Sequence, residues 1–228
     1  MASTCTIPFD IAPFGLSGAV YGALVNHRTA LVELGDEVAR PPYNGAPRAP
    51  VLYVKPRNTL AASGDAVEIP AGMTDLELGA CLGLVIGRPA CNVSIAAAPD
   101  HIAGYLIVND ISVPHESFYR PSIRMKARDG FCPLGPAVVA RGAIADPDAL
   151  TIRTYVDGAL VQVARTAELV RSTAMLLAHV TEFMTLAPGD VLAVGVAKPA
   201  PRVRAGQSVD IVIDGLGTLS NRFVAAPG

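Results

Sequence analysis

The sequence predicts a mostly β, α+β domain with a few short helices and one long one. Three features carry that expectation. Short apolar runs are broken by 19 prolines and 21 glycines over 228 residues, which favours strands joined by loops over a helical bundle. The run Leu76–Gly87 alternates a large apolar face with a face of mostly small side chains. Two Asp-Gly pairs, at 157–158 and 214–215, sit between apolar runs, as two-residue hairpins require. A 51% hydrophobic and 17% charged composition suits a domain of this length with a sizeable core. Residues 17–228 are read as that single domain, after an N-terminal extension, 1–16.

In chain order, Ser17–Asn26 reads as a strand and Arg28–Val38 as a short helix. The Pro-rich passage Arg40–Pro50 reads as a surface excursion, with a new strand from Val51. Even positions Leu76, Leu78, Ala80, Leu82, Leu84 and Ile86 form one packing face. The odd face, with Gly79, Cys81, Gly83 and Gly87, fits either close sheet packing or a ligand cavity. Ile102–Asn109 is a further apolar strand, and the polar passage 110–133 after it reads as the functional loop region. Thr166–Thr185 is expected to be the long helix, with Thr166 as cap, Glu168 at the positive end of its dipole, and Leu169, Val170, Leu176, Leu177, Val180, Phe183 and Met184 on the buried face.

Several classes of partner are excluded by charge and composition. Lys+Arg 18 against Asp+Glu 20 gives net charge −2, without the basic excess that a phosphate backbone requires, so no nucleic acid is expected. The stretch 11–25 is too short to span a bilayer and is interrupted by Pro13 and glycines, so no membrane is expected either. Cysteines 5, 81, 91 and 132 form no C-x-x-C pair and read as free thiols in a reducing, cytoplasmic setting.

The chemistry-bearing residues gather after the strand at 102–109. Asp110 ends it, His115, Glu116 and Arg120 follow, and then Lys126 and Arg128 precede a Gly/Pro turn where a flexible stem can reach a bound dicarboxylate. On residues alone, a solvated loop with scattered ion pairs explains the same pattern equally well.

At these positions the sequence resembles the fumarylacetoacetate hydrolase family. The resemblance rests on Asn26, on Lys55-Pro56-Arg57-Asn58-Thr59, on Leu82–Gly87, on Asn109-Asp110-Ile111-Ser112, on Lys126 ahead of Phe131-Cys132-Pro133-Leu134-Gly135-Pro136, and on Leu186-Ala187-Pro188-Gly189-Asp190-Val191. Together these span most of residues 17–224. The Lys55–Thr59, Glu116–Pro121 and Arg128–Pro133 segments look most like the N-terminal half of the family's two-domain isomerase/decarboxylases of homoprotocatechuate (4-hydroxyphenylacetate) breakdown.

The resemblance implies a mixed β-sandwich roll and a pairing of subunits, as a homodimer or as a heteromer with a paralogue. It implies a small oxo-di- or tricarboxylate as substrate: CO₂ lost from 5-oxopent-3-ene-1,2,5-tricarboxylate, then a proton shift in 2-hydroxyhepta-2,4-diene-1,7-dioate. It also implies a divalent metal, Mg²⁺ or Mn²⁺, held by carboxylates. The family's paired glutamates fall on Gly79 and Cys81, however, leaving Asp110 as an incomplete and weak ligand set. The His of its His/Glu pair falls on Ala30 with the Glu on Glu33, and the Thr of its Gly-Thr-Pro turn falls on Val196.

Lys126 is the first candidate, as cation for a substrate carboxylate or as proton donor, and it is expected to be an exposed loop lysine whose removal costs little stability. Asp110 would orient Lys126 or act as base. Glu116 and His115 are candidates for the proton shift. Arg120, Arg128, Arg57 and Asn58 are candidates for substrate binding. His27 is expected to make a core hydrogen bond. Two rival functions remain: a non-catalytic subunit partnering a metal-competent paralogue, and a metal-dependent acylpyruvate hydrolase.

Overall fold

The computed structural model describes residues 10–11, 14–42, 44–115 and 122–226. Two sheets dominate. The first has seven strands in the order Val51–Lys55, Val20–Leu24, Val191–Ala193, Ala80–Ile86, Ile102–Asn109, Cys132–Ala140 and Leu60–Ala62. The second has five, in the order Ala159–Arg165, Thr151–Val156, Ser208–Ile213, Gly217–Ala225 and Ala66–Ile69. Both are mixed: Val191–Ala193 runs parallel to Val20–Leu24 and antiparallel to Ala80–Ile86.

Alternation along Ala80–Ile86 sorts the core into two parts. Leu82, Leu84 and Ile86 join the larger cluster with Ile152, Ile211, Phe223 and the helix residues Leu176, Leu177 and Val180. Cys81 and Val85 face the other way, into a smaller cluster with Leu106, Val108, Cys132 and Val191. The small-residue face is therefore packed. A Cβ on Gly83 would lie 2.7 Å from side-chain atoms of Leu106 and Val108, so glycine there allows the curled sheet to close on itself and opens no cavity.

Two sequence expectations change. The run from Leu76 is two strands, Leu76–Glu77 and Ala80–Ile86, because residues 77–79 leave the sheet to pair with 110–112. The long helix shrinks to Thr173–Thr181. Asn26 takes the backbone upstream of it: its Oδ1 accepts from Arg171 N–H, its Nδ2 donates to Arg171 O, and its carbonyl accepts from Val170 N–H. Thr166 does not cap the helix, since its hydroxyl accepts from Leu150 N–H; Ser172 caps it instead, accepting from Met175 N–H. Phe183 is exposed rather than on a buried face.

The hairpin at Asp157-Gly158 forms as expected, with φ of 48° and 77° at the two turn residues. The second Asp-Gly opens a three-residue connection, closed by pairing of Ile213 with Gly217. His27 is buried and its Nδ1 lies 2.9 Å from Thr29 Oγ1, capping the helix Arg28–Leu34. No helix among the described residues is long and apolar enough to cross a membrane.

Candidate active site

The strand Ile102–Asn109 delivers Asp110 to the middle of the molecule. Asn109 Oδ1 accepts from Gly79 N–H at 3.1 Å and Asp110 N–H donates to Gly79 O at 2.8 Å, which pins the strand end on its neighbour. The Asp110 carboxylate, 3% exposed, is held between two lysines. Lys126, at the end of the single-turn helix Ile123–Lys126, places Nζ 2.6 Å from Oδ2, and Lys55, at the end of Val51–Lys55, places Nζ 2.8 Å from Oδ1. Tyr53, two residues before Lys55 and so on the same strand face, donates its hydroxyl to Oδ2 at 2.5 Å. Its ring lies over Gly22, where any Cβ would collide with it, and Lys126 Nζ stands 4.7 Å from the ring centre.

The two lysines differ in what their N–H groups do. Lys55 Nζ donates to the carbonyls of Ile111, Lys126 and Phe131 at 2.7, 2.9 and 2.8 Å. All three of its donors are committed, so it touches Asp110 Oδ1 as a charge and not through a directed hydrogen bond. Lys126 makes one hydrogen bond among the described residues, to Asp110.

Burial by itself would push the Asp110 carboxyl up, but the Lys126 and Lys55 ammoniums outweigh it and hold it far below the usual carboxylate range. Burial pushes Lys55 down, partly offset by Asp110, while its three carbonyl acceptors require it to stay protonated. Burial and the nearby carboxylate push the Tyr53 phenol well up. Burial drives the Cys81 thiol up strongly and Cys132 up to about 12, so both are neutral, inert thiols. The cluster thus carries one negative and two positive charges.

Lys126 is not the exposed loop lysine that the sequence suggested. It is 6% exposed and half of a buried ion pair, so its removal has a structural cost. Asn58 braces this region, donating to Ala127 O at 3.2 Å and to Asp129 Oδ1 at 2.6 Å. Arg128 donates Nε to Arg124 O at 3.0 Å, and Arg57 is exposed on the short turn Arg57–Thr59. Glu116 and Arg120 lie outside the described residues. His115 is half-buried, with Nδ1 2.9 Å from Val113 O; a carbonyl only accepts, so Nδ1 carries the proton and Nε2 is the basic nitrogen.

A cleft of about 380 Å³ opens at His115, lined also by Glu33, Glu37, Glu77, Lys198 and Arg202. Lys198 Nζ lies 3.2 Å from Glu77 and 3.9 Å from Glu33, and Arg202 bridges Glu77 and Asp75 at 3.2 and 2.9 Å. Cleft and cluster share one stretch of backbone. Ser112 exchanges both backbone hydrogen bonds with Glu77, two residues from Asp110, and Val113 N–H donates to Met125 O beside Lys126. Sequence reasoning missed Tyr53, Glu77, Lys198, Arg202 and the role of Lys55. The chain has three lysines, 55, 126 and 198, and all are ion-paired in this region. That scarcity, and the Tyr53/Lys55 spacing on one strand, were the available signals.

A divalent metal does not fit these residues. Both Asp110 oxygens already face ammonium groups. Gly79 supplies no ligand, and a Cβ there would collide with the Asp110 carbonyl; Cys81 offers sulfur, a soft donor unsuited to a hard oxygen-seeking cation. Among the described residues no three His, Cys, Asp or Glu converge as a metal set.

A curled, mixed-sheet roll with an aspartate at a central strand end defines a class of enzyme-like domains, and comparison with known proteins specifies it. Residues 19–224 match the family model described as fumarylacetoacetate (FAA) hydrolase C-terminal. The chain belongs to the fumarylacetoacetate hydrolase family. It is 40% identical over 210 residues to the 4-hydroxyphenylacetate degradation bifunctional isomerase/decarboxylase of Salmonella dublin, covering 92% of this chain and 48% of that protein. The chain therefore spans about half the length of such curated relatives. The crystal structure of 5-carboxymethyl-2-hydroxymuconate delta-isomerase from Mycobacterium smegmatis superposes with a TM-score of 0.80 at 32% identity, over 95% of this chain and 82% of that one. Fumarylpyruvate hydrolase from Pseudomonas aeruginosa, solved with Mn²⁺ and pyruvate, superposes at 0.79 with 26% identity, over 93% and 91%.

Proposed function

We propose that this chain is a decarboxylase/isomerase for an unsaturated oxo-tricarboxylate and its dienoate product in 4-hydroxyphenylacetate breakdown. The observation that carries the reading is the Lys126 ammonium, buried, with a single hydrogen bond among the described residues, inside a cluster of net positive charge. Loss of CO₂ beside a conjugated carbonyl breaks a C–C bond and sends its electrons to the carbonyl oxygen. A preorganised cation in a dry site stabilises that dienolate most where its charge accumulates. Asp110 holds Lys126 in place, and the saturated Lys55 holds Asp110.

The proton shift needs a group that takes a proton from one carbon and returns it to another. His115, which lines the cleft, fits that role. Glu116 stays in the proposal as a second candidate for the proton shift, and Arg120, Arg128 and Arg57 as groups for the substrate's outer carboxylates, with Asn58 bracing the turn beside Lys126. The compartment proposed is the cytoplasm.

The test is turnover of the tricarboxylate by the purified chain, followed by CO₂ release and diene absorbance. Lys126→Met is expected to lose about 10²- to 10³-fold in kcat, the usual effect of removing one oxyanion donor. Undiminished decarboxylation by a folded Lys126→Met protein overturns the reading. A second reading, a non-catalytic subunit, is favoured by Gly79 and Cys81, which stand where the family resemblance puts paired glutamates. It predicts no turnover by the chain alone, and full activity of a paralogous partner mixed with the Lys126→Met variant.

A further inference from the structure

We propose that the cation of this site is built into the chain: the ammonium groups of Lys55 and Lys126 take the place a divalent metal would need at Asp110, so the site binds neither Mg²⁺ nor Mn²⁺. The inference concerns what neutralises Asp110, and it stands whichever oxo acid is the substrate and whether or not the chain turns one over.

Three observations carry it. The first is occupancy. Asp110 Oδ1 lies 2.8 Å from Lys55 Nζ, and Oδ2 takes Lys126 Nζ at 2.6 Å together with the Tyr53 hydroxyl at 2.5 Å. A hard divalent ion needs about six oxygen ligands; among the described residues Oδ1 accepts no hydrogen bond, but an ion approaching it would come against the Lys55 ammonium 2.8 Å away and find no second carboxylate beside it. The second is charge. Two ammoniums on one carboxylate already leave the cluster at net +1, and a divalent metal added beside them would raise it to +3 in a buried space.

The third is that the geometry cannot be undone by adding a ligand. Gly79 packs directly on the Asp110 backbone, so a side chain at that position collides with the segment that would have to coordinate. Lys55 cannot swing away either, because its ammonium also ties together three separate stretches of chain at Ile111, Lys126 and Phe131. Lys55 is thus a positioning residue: it acts through Asp110 and these carbonyls, and Lys126 is the cation left to face a ligand.

The chain's three lysines make a direct test possible. In protein labelled with ¹⁵N-lysine, Lys55 and Lys126 are expected to give slowly exchanging ammonium signals at neutral pH, identified by elimination against Lys198→Arg, and unmoved by millimolar Mg²⁺. In parallel, the electron paramagnetic resonance signal of free Mn²⁺ should stay undiminished as wild-type protein is added. Saturable uptake of one Mn²⁺ per chain that Asp110→Asn abolishes, or loss of either protected ammonium signal on adding Mg²⁺, overturns the proposal. Uptake that Asp110→Asn leaves unchanged lies elsewhere on the chain and agrees with it. None of these readouts uses turnover, so failure of the decarboxylase reading and failure of this one are told apart.

Discussion

The Asp110 cluster and the cleft at His115 sit on the same short stretch of backbone yet treat charge in opposite ways. In the cluster every charged group is nearly sealed from water: the Asp110, Lys55 and Lys126 side chains are 2%, 1% and 8% exposed. In the cleft the Arg202 and Glu33 side chains are 49% and 46% exposed, while Glu77 and Lys198, which they pair with, are 13% and 11% exposed, and the pairs sit at 3.2 to 3.9 Å. Desolvation makes a buried pair strongly interdependent, because removing one member strands the other, whereas exposed pairs are screened and contribute little. The contrast is one of solvent access: the sealed cluster fixes one geometry with a standing positive charge, whereas in the cleft the Lys198–Glu33 and Arg202–Glu77 pairs each keep one member partly in water.

The contrast can be broken at its strongest point first. Asp110→Ala leaves two ammoniums facing each other in a dry space and is expected to destabilise the fold by about 3–5 kcal/mol in urea unfolding; a loss below about 1 kcal/mol would mean that water reaches the cluster. Next, Gly79→Ala drives a methyl group into the Asp110 backbone, for an expected cost of about 1–3 kcal/mol by the same measurement. An unchanged midpoint would show that the two segments part easily.

A third prediction uses pH at the cleft's edge, where His27 caps the helix that carries Glu33. Burial lowers the His27 imidazole below its ordinary value of 6.5 despite the pull of Glu168, so the unfolded chain takes up a proton more readily than the folded one. Stability from this residue is complete above about pH 6.5 and declines as pH falls below it, through the lowered folded value. The cap is worth about 1 kcal/mol. His27→Asn, which keeps an acceptor that does not titrate, should flatten the part of the Tm profile between pH 7 and pH 5 that belongs to this residue; an identical profile would remove His27 as its source. Smallest of all, Arg202→Ala should cost under about 1 kcal/mol and show its effect only at low salt. A larger, salt-independent loss would place the cleft with the cluster as a rigid unit.

Much of the strand framework was legible because a period of two and Asp-Gly turns are local signals: Val51, Ile102–Asn109 and the 157–158 hairpin all fall where alternation and turn chemistry put them. The helix expected over 166–185 failed for a non-local reason. Its apolar spacing was genuine, but Asn26, 145 residues away from Arg171, takes the backbone groups that an extra turn would have used. The site divides in the same manner. Asp110, Lys126 and His115 could be singled out as reactive types after a strand end, but their burial and pairing could not.

By itself the sequence determined that this is a strand-rich domain with candidate reactive residues after an apolar strand, and its family resemblance put Gly79 and Cys81 where paired carboxylates are expected. Only the tertiary structure decided what that substitution means. Lys55 arrives from an edge strand 55 residues before Asp110 and Tyr53 from the same strand face, and the sheet order brings both onto one carboxylate. Charge compensation in a dry interior depends on distances of a few ångströms between segments remote in the chain, which no local pattern of residues encodes.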